Sequence, residues 1–175
     1  MIIADMALGH MDEMIVADMA LSHIDEIYEI ETRCFAIPWS KNELRRELSN
    51  KHAIYKVALI EGPSNSPSGE ALAKEALKVV GYAGLWHIVN EGQITNIAVD
   101  IPYRRRGIGS KLIEALTGCA TELKMMGLTL EVRESDIGAQ TLYKNHGFKP
   151  EGKRRRYYAD NGEDAIIMWK YFEVN

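Results

Sequence analysis

Ile94-Thr95-Asn96-Ile97-Ala98-Val99-Asp100-Ile101-Pro102-Tyr103-Arg104-Arg105-Arg106-Gly107-Ile108-Gly109-Ser110-Lys111-Leu112 reads as a strand, a sharp basic turn and a helix that opens on glycines. Ile94, Ile97 and Val99 are β-branched and predict a strand. Asp100 and Pro102 end it, because proline cannot donate to a ladder. From Ile108 the apolar residues recur at Leu112, Ile113, Leu116, Ala120 and Leu123, which is helical spacing and predicts a helix to about Met126. Between strand and helix lies a basic turn, Arg104-x-x-Gly107-x-Gly109. Glycines there let the backbone approach a ligand closely. The first N–H groups of a helix have no internal partner and carry the positive end of its dipole, so they suit an anion such as a pyrophosphate. The arginines add forked donors at the mouth. The turn is neither a Walker loop nor a dinucleotide fingerprint: Lys111 follows Gly109 at the wrong spacing, and Leu112 stands where a third glycine is required.

The surrounding residues narrow the reading. Ile97-Ala98-Val99-Asp100-x-x-Tyr103-Arg104-x-x-Gly107-x-Gly109 resembles the acetyl-CoA-binding segment of GNAT-fold N-acetyltransferases. Leu130-Glu131-Val132-Arg133 and Leu142-Tyr143-x-x-x-Gly147-Phe148 follow in the order that superfamily uses. Cys34-Phe35-x-x-Pro38-Trp39-Ser40, Arg155-Arg156-Tyr157-Tyr158 and Glu163-Asp164-Ala165-Ile166-Ile167-Met168 are similar, more narrowly, to the RimI-type ribosomal-protein-alanine N-acetyltransferases. The likeness runs from about Ile15 to Trp169. It implies an α/β (α+β) GNAT fold: one mixed, mostly antiparallel sheet flanked by helices, with a strand pair splayed at the acetyl-CoA cleft.

Composition agrees with one domain of ordinary size. The chain has 175 residues, 46% hydrophobic and 26% charged, and a net charge of −4. That balance does not suit a protein built to coat nucleic acid. Two cysteines form no disulfide framework, no apolar run reaches membrane-spanning length, and the first residues lack the basic start of a signal peptide. A cytoplasmic location is expected, with no membrane partner and no direct nucleic-acid binding.

In chain order, residues 1–13 are echoed by residues 14–26, the copies differing only at Ile3/Val16, Gly9/Ser22 and Met11/Ile24. Two copies are too few for a solenoid. The second copy leads into the body of the domain, residues 14–175, as a strand Met14–Met19 and a helix Ser22–Cys34 capped by Ser22. The first is then a surplus duplicated segment, expected to be poorly ordered. Ser40 with Glu43 forms a capping box for a second helix. Strands follow at His52–Ile60, Val79–His87 and Gln93–Asp100, with residues 62–76 a flexible hairpin insertion of Gly, Pro and Ser composition. A strand Leu128–Val132, a helix Ile137–Asn145 capped by Asp136 and ended by Gly147, and strands Phe148–Arg156 and Ala165–Phe172 joined through Asp160-Asn161-Gly162 complete the chain.

Acetyl transfer from a thioester to an amine needs a base for the amine, donors for the oxyanion and a proton for the leaving sulfur. The resemblance implies Glu131 as the base, acting through water, and Tyr143 as the acid. It implies that the strand Ile97, Ala98, Val99 offers an N–H to the oxyanion and an edge to the pantetheine. Arg105, Arg106, Gly107, Ile108, Gly109 and Ser110 would hold the pyrophosphate, and Arg104 is also implied in cofactor binding. Asp136 stands where RimI-type proteins usually carry an asparagine that contacts CoA. Phe35, Trp39, Tyr157 and Tyr158 would line a peptide groove. The implied substrate is the N-terminal alanine of a small-subunit ribosomal protein, a basic partner for an acidic enzyme. An α-amine, with a pKa of about 8, is also easier to deprotonate than a lysine at about 10.4. The alternatives are a GNAT enzyme for a small-molecule amine or a protein lysine, and a non-catalytic CoA- or RNA-binding module. The five histidines show no metal spacing, and the cysteines read as buried small hydrophobes.

Overall fold

A computed structural model describes residues 14–61 and 77–173. The expectations for residues 1–13 and for the insertion 62–76 lie outside the described residues. Seven strands form one sheet in the order β1-β2-β3-β4-β5-β7-β6: β1 (Ile15–Asp18), β2 (Ala53–Glu61), β3 (Leu77–Ile88), β4 (Glu91–Val99), β5 (Gly127–Arg133), β6 (Lys149–Arg154) and β7 (Ala165–Tyr171). Every pairing is antiparallel except β4 with β5. The helices are α1 (Ile24–Cys34), α2 (Lys41–Ser49), α3 (Ile108–Glu122) and α4 (Ile137–Asn145).

The second copy of the repeat takes the role read from its sequence, as the edge strand β1 and the entry to α1. The cap differs. Leu21–His23 is a short 3-10 turn, Ser22 is exposed within it, and His23 occupies the N-cap position of α1. His23 accepts the Ala20 N–H at Nδ1 (3.0 Å), so an imidazole, not the serine, closes the turn. Ser40 and Glu43 make the expected capping box on α2, and Asp136 caps α4 by accepting the Ala139 N–H at 2.8 Å. The link from β6 to β7 is longer than a two-residue hairpin. Residues 155–164 form a folded loop, with Gly162 at φ +69° and its N–H donating to the Tyr158 carbonyl.

Two apolar cores sandwich the sheet. On one face α3 buries Ile108, Leu112, Ile113, Leu116 and Ala120 against Val80, Leu85, Leu128, Leu130 and Met168. On the other, α1 and α2 bury Ile24, Ile27, Ile30 and Leu44 against Tyr55, Val57, Val79 and Tyr82. Leu130 and Val132 point into the α3 core. By the two-residue period of a strand, Thr129, Glu131 and Arg133 therefore face the side of α1 and α2.

Candidate active site

The parallel pair β4–β5 is registered only at Glu91–Gly127, Gly92–Leu128 and Gln93–Thr129. Beyond Gln93 the strands part, and β4 follows β3, with an irregularity at Gly84/Leu85 that leaves Thr95 out of register. The opening holds two connected cavities, of about 830 and about 520 Å³. Cys34, Phe35, Ile97, Asp136, Ala139 and Tyr143 line both, so the two form one cleft through the splayed strands.

The smaller cavity is the glycine-turn end. Arg105 (φ +63°) and Gly107 (φ +80°) are left-handed, and the turn between β4 and α3 needs both. Gly107 is the N-cap of α3, and Ile108, Gly109 and Ser110, whose N–H groups open the helix, line the cavity with it. A Cβ on Gly109 would come within 3.0 Å of Leu142, so its hydrogen lets α4 close against α3. Ala98 and Val99 of β4 also line this end. Arg105 does too. Arg104 lines it but is engaged: Nε donates to the Val99 carbonyl (3.1 Å) and a terminal nitrogen contacts Cys34 Sγ (3.3 Å). Arg106 does not line the cavity; its guanidinium lies over the Tyr103 ring at 5.5 Å. The turn is pinned from behind, where Arg33 makes a forked contact (2.9 and 3.1 Å) with the buried Asp100.

This turn yields a direct test. Nothing lies within 4 Å of a Cβ built on Gly107, so a side chain there acts through the backbone alone. A left-handed φ costs an ordinary residue roughly 1–2 kcal/mol, and a β-branched one more. Gly107→Val is expected to weaken acetyl-CoA binding about tenfold by calorimetry. Gly118→Ala, at an equally open helix position, should leave binding unchanged.

The larger cavity is lined by the two residues expected to carry the chemistry, Glu131 and Tyr143. The Glu131 side chain is 9% exposed, ion-paired with Arg154 Nε at 3.0 Å and within 3.5 Å of Gln93 Nε2. Tyr143 rises from α4, half-buried, its ring edge-on to Phe148 at 5.9 Å. Burial pushes its phenol above the ordinary tyrosine value, with Asp136 adding to the rise, so it holds its proton at neutral pH. Phe35 and Trp39, from the segment between α1 and α2, and Tyr157 and Tyr158, from the loop between β6 and β7, also line this cavity. Asp136 lines both cavities, though its carboxylate is already spent on the α4 cap.

Three further groups belong to the cleft. Glu31 lines the larger cavity and is 1% exposed. It sits on the stripe of Ile24, Ile27 and Ile30, and a charged residue on that stripe was the available signal. Arg133 lies two residues beyond Glu131 on the same face. Cys34 is not a buried hydrophobe: both cysteines are half-buried, and Cys34 stands at the junction of the two cavities with Sγ 3.6 Å from the Val99 carbonyl. Of the basic run 153–156, Lys153 pairs with Glu134 and Arg154 with Glu131, which leaves less free charge for a polyanion. Among the described residues, no group of three or more His, Cys, Asp or Glu side chains is placed to hold a metal, and no helix is long and apolar enough to cross a membrane.

Residues 24–148 match the profile of the acetyltransferase (GNAT) family. The chain belongs to the GNAT family. It is an N-acetyltransferase by that membership and by its relatives. A Bacillus subtilis protein named, provisionally, as a ribosomal protein bS18-alanine N-acetyltransferase is 39% identical over 144 residues, covering 82% of this chain and 85% of its own length. The N-alpha-acetyltransferase RimI of Mycobacterium tuberculosis is 33% identical over 146 residues, covering 80% and 81%. Among solved structures, the ribosomal-protein-S18-alanine N-acetyltransferase of Escherichia coli superposes with a TM-score of 0.76 at 28% identity, covering 93% of this chain and 96% of the other. The mixed, mostly antiparallel seven-stranded sheet flanked by helices is thus a GNAT arrangement, as the resemblance implied.

Proposed function

We propose that this GNAT protein transfers acetyl from acetyl-CoA to the N-terminal amine of a protein, with the N-terminal alanine of a small-subunit ribosomal protein as its target. The observation that carries the reading is the single cleft: the glycine turn opens one end, Glu131 and Tyr143 line the other, and the two ends share a wall. The names and likeness of the relatives support the substrate.

Acetyl-CoA fits the residues present. Arg105 and the opening of α3 from Gly107 to Ser110 offer charge and free N–H groups to a pyrophosphate. The edge of β4 around Ile97, left without a β5 partner, offers N–H and C=O groups to the pantetheine amides, whereas the Val99 carbonyl already accepts from Arg104. The thioester supplies the activated acyl group. Glu131, through a water, takes the proton of the attacking amine. An N–H of β4 donates to the developing oxyanion, and Tyr143 donates its phenolic proton toward the departing sulfur. The N–C bond forms as the C–S bond breaks. An α-amine loses its proton at a free-energy cost about 3 kcal/mol below that of a lysine, from their ordinary pKa values, which suits a carboxylate base.

The test is mass spectrometry of peptides incubated with the protein and acetyl-CoA. One peptide begins with free alanine, and one carries a blocked N-terminus and a single lysine. Acetylation of the first at least a hundredfold faster is expected. Turnover of the lysine peptide, or of small polyamines, without turnover of the alanine peptide would replace this reading with the lysine or small-molecule one.

A further inference from the structure

The loop 155–164 between β6 and β7 carries Tyr157 and Tyr158 to the wall of the larger cavity. A ten-residue loop is held relative to the sheet by bonds that reach outside it. The internal bonds of this loop include Tyr158 N–H to the Glu163 carbonyl (3.1 Å), Gly162 N–H to the Tyr158 carbonyl (2.7 Å), Arg156 N–H to Asp164 Oδ1 (2.9 Å), Glu163 N–H to Asn161 Oδ1 (3.0 Å) and Asn161 Nδ2 to Glu163 Oε2 (3.4 Å), and none of them ties the loop to β5. Arg156 at φ +52° also spends conformational energy.

The side chain on which the loop converges is Arg133. One terminal nitrogen donates to both carboxylate oxygens of Asp160 at 2.9 Å. The other donates to Glu163 (3.1 Å) and to the side-chain carbonyl of Asn161 (3.2 Å). Its planar guanidinium also lies 3.8 Å over the Tyr158 ring, and that ring meets Tyr157 edge-on at 5.2 Å. The charged groups are largely withdrawn from water, at 30, 23 and 16% side-chain exposure for Arg133, Asp160 and Glu163. This is a shared, forked network over an aromatic face, unlike the lone exposed pairs that contribute almost nothing. Glu163 gains a further bond from the Ser135 N–H (2.7 Å), on the segment that continues β5. Arg133 stands on the strand and the face that present Glu131. It therefore locks the tyrosine-bearing loop to the strand that carries the base.

We propose that Arg133 is the positioning residue of the substrate entrance: it sets Tyr157 and Tyr158 at a fixed place relative to Glu131, and so governs how tightly a polypeptide N-terminus is held. This rests on the function proposed above for the same cleft. Arg133 touches no reacting atom in that scheme. Its effect therefore belongs to recognition of the peptide and not to acetyl-CoA, whose proposed contacts lie at the other end of the cleft.

The experiment compares the intact chain with Arg133→Met, Arg133→Lys and Asp160→Asn. Peptide KM and kcat are measured on an alanine-starting peptide, acetyl-CoA affinity by calorimetry, and amide hydrogen exchange across residues 155–164. Arg133→Met is expected to raise peptide KM about tenfold and to speed exchange of the loop, with acetyl-CoA affinity changed less than twofold. Arg133→Lys should recover only part, because an ammonium cannot reproduce the fork or the stack. Asp160→Asn should move KM the same way by less, and it answers the question if Arg133→Met fails to fold. Unchanged exchange in the loop overturns the proposal. So does an equal loss of peptide and acetyl-CoA affinity, which marks general damage. If the unaltered protein acetylates no α-amine, the functional reading falls, while loop exchange still decides whether Arg133 is the anchor.

Discussion

Glu131→Gln is expected to lower kcat by about 10²–10³-fold on an alanine-starting peptide while acetyl-CoA affinity stays within twofold, within the range by which general bases contribute. The amide matches the carboxylate in size, so a side chain only 9% exposed is replaced without a cavity. Its carbonyl can still accept from Arg154. What is lost is the ability to take a proton. Arg154 loses an ionic partner, but its own side chain is 54% exposed, and water replaces that interaction at small cost. The stability change should therefore be slight, which separates this variant from a core lesion. Tyr143→Phe should cost less, because a hydrogen bond to a departing sulfur is only part of the barrier. If the two act on one transition state, the double variant will lose less than the product of the single losses. A kcat for Glu131→Gln within threefold of the unaltered protein removes the carboxylate from the chemistry. Steady-state kinetics with single-turnover controls decide the matter.

Local chemistry in the sequence specified much of this architecture. The run from Ile94 to Leu112 is legible because each of its parts acts over a few residues: β-branched strand, proline stop, left-handed glycine, amphipathic helix. The same holds for the Ser40–Glu43 box, the Asp136 cap and Gly147, which is left-handed at φ +87° just beyond α4. Features that depend on partners distant in sequence were not legible. Arg133 meets Asp160 across 27 positions, and Glu31 meets Tyr82 across 51 and Asn96 across 65. No local pattern announces such meetings. The hydroxyl of Ser22 had the right chemistry for a cap, but Ser22 falls inside the 3-10 turn Leu21–His23, and His23 takes the N-cap position of α1. Arg104 and Arg106 looked equivalent to Arg105 in a basic run. Only the fold directs one to a carbonyl and a thiol and the other onto an aromatic ring.

Glu31 gives the second large effect, on stability as a function of pH. Its carboxyl accepts from the Tyr82 hydroxyl, from Asn96 Nδ2 at 3.4 Å and from the Trp39 N–H at 2.7 Å. Burial nevertheless dominates and raises it to about 7, against an ordinary value near 4.5; the bonds from Trp39 and Asn96 offset only part of that rise, and Glu43 adds to it. Between those two values the folded protein keeps a proton that the unfolded chain has released. Stability is therefore highest at or below about pH 4.5 as far as this group is concerned, falls as pH rises toward 7, and levels off above it. The shift corresponds to about 3 kcal/mol between the two plateaus, a large fraction of the stability of a domain this size. Urea unfolding at pH 5.5 and 8.5 should show the loss in the unaltered protein and a loss smaller by about 2 kcal/mol in Glu31→Gln, which has nothing to titrate. Equal losses in the two proteins would assign the pH dependence elsewhere. The location of the carboxyl gives the measurement a second use. Its bond to the Trp39 N–H holds the segment between α1 and α2 that forms the Phe35–Trp39 wall of the cleft. Charging Glu31 strengthens that bond while weakening the fold around it. Peptide KM in Glu31→Gln should therefore rise most at the pH where the unaltered carboxylate is ionised, above about 7.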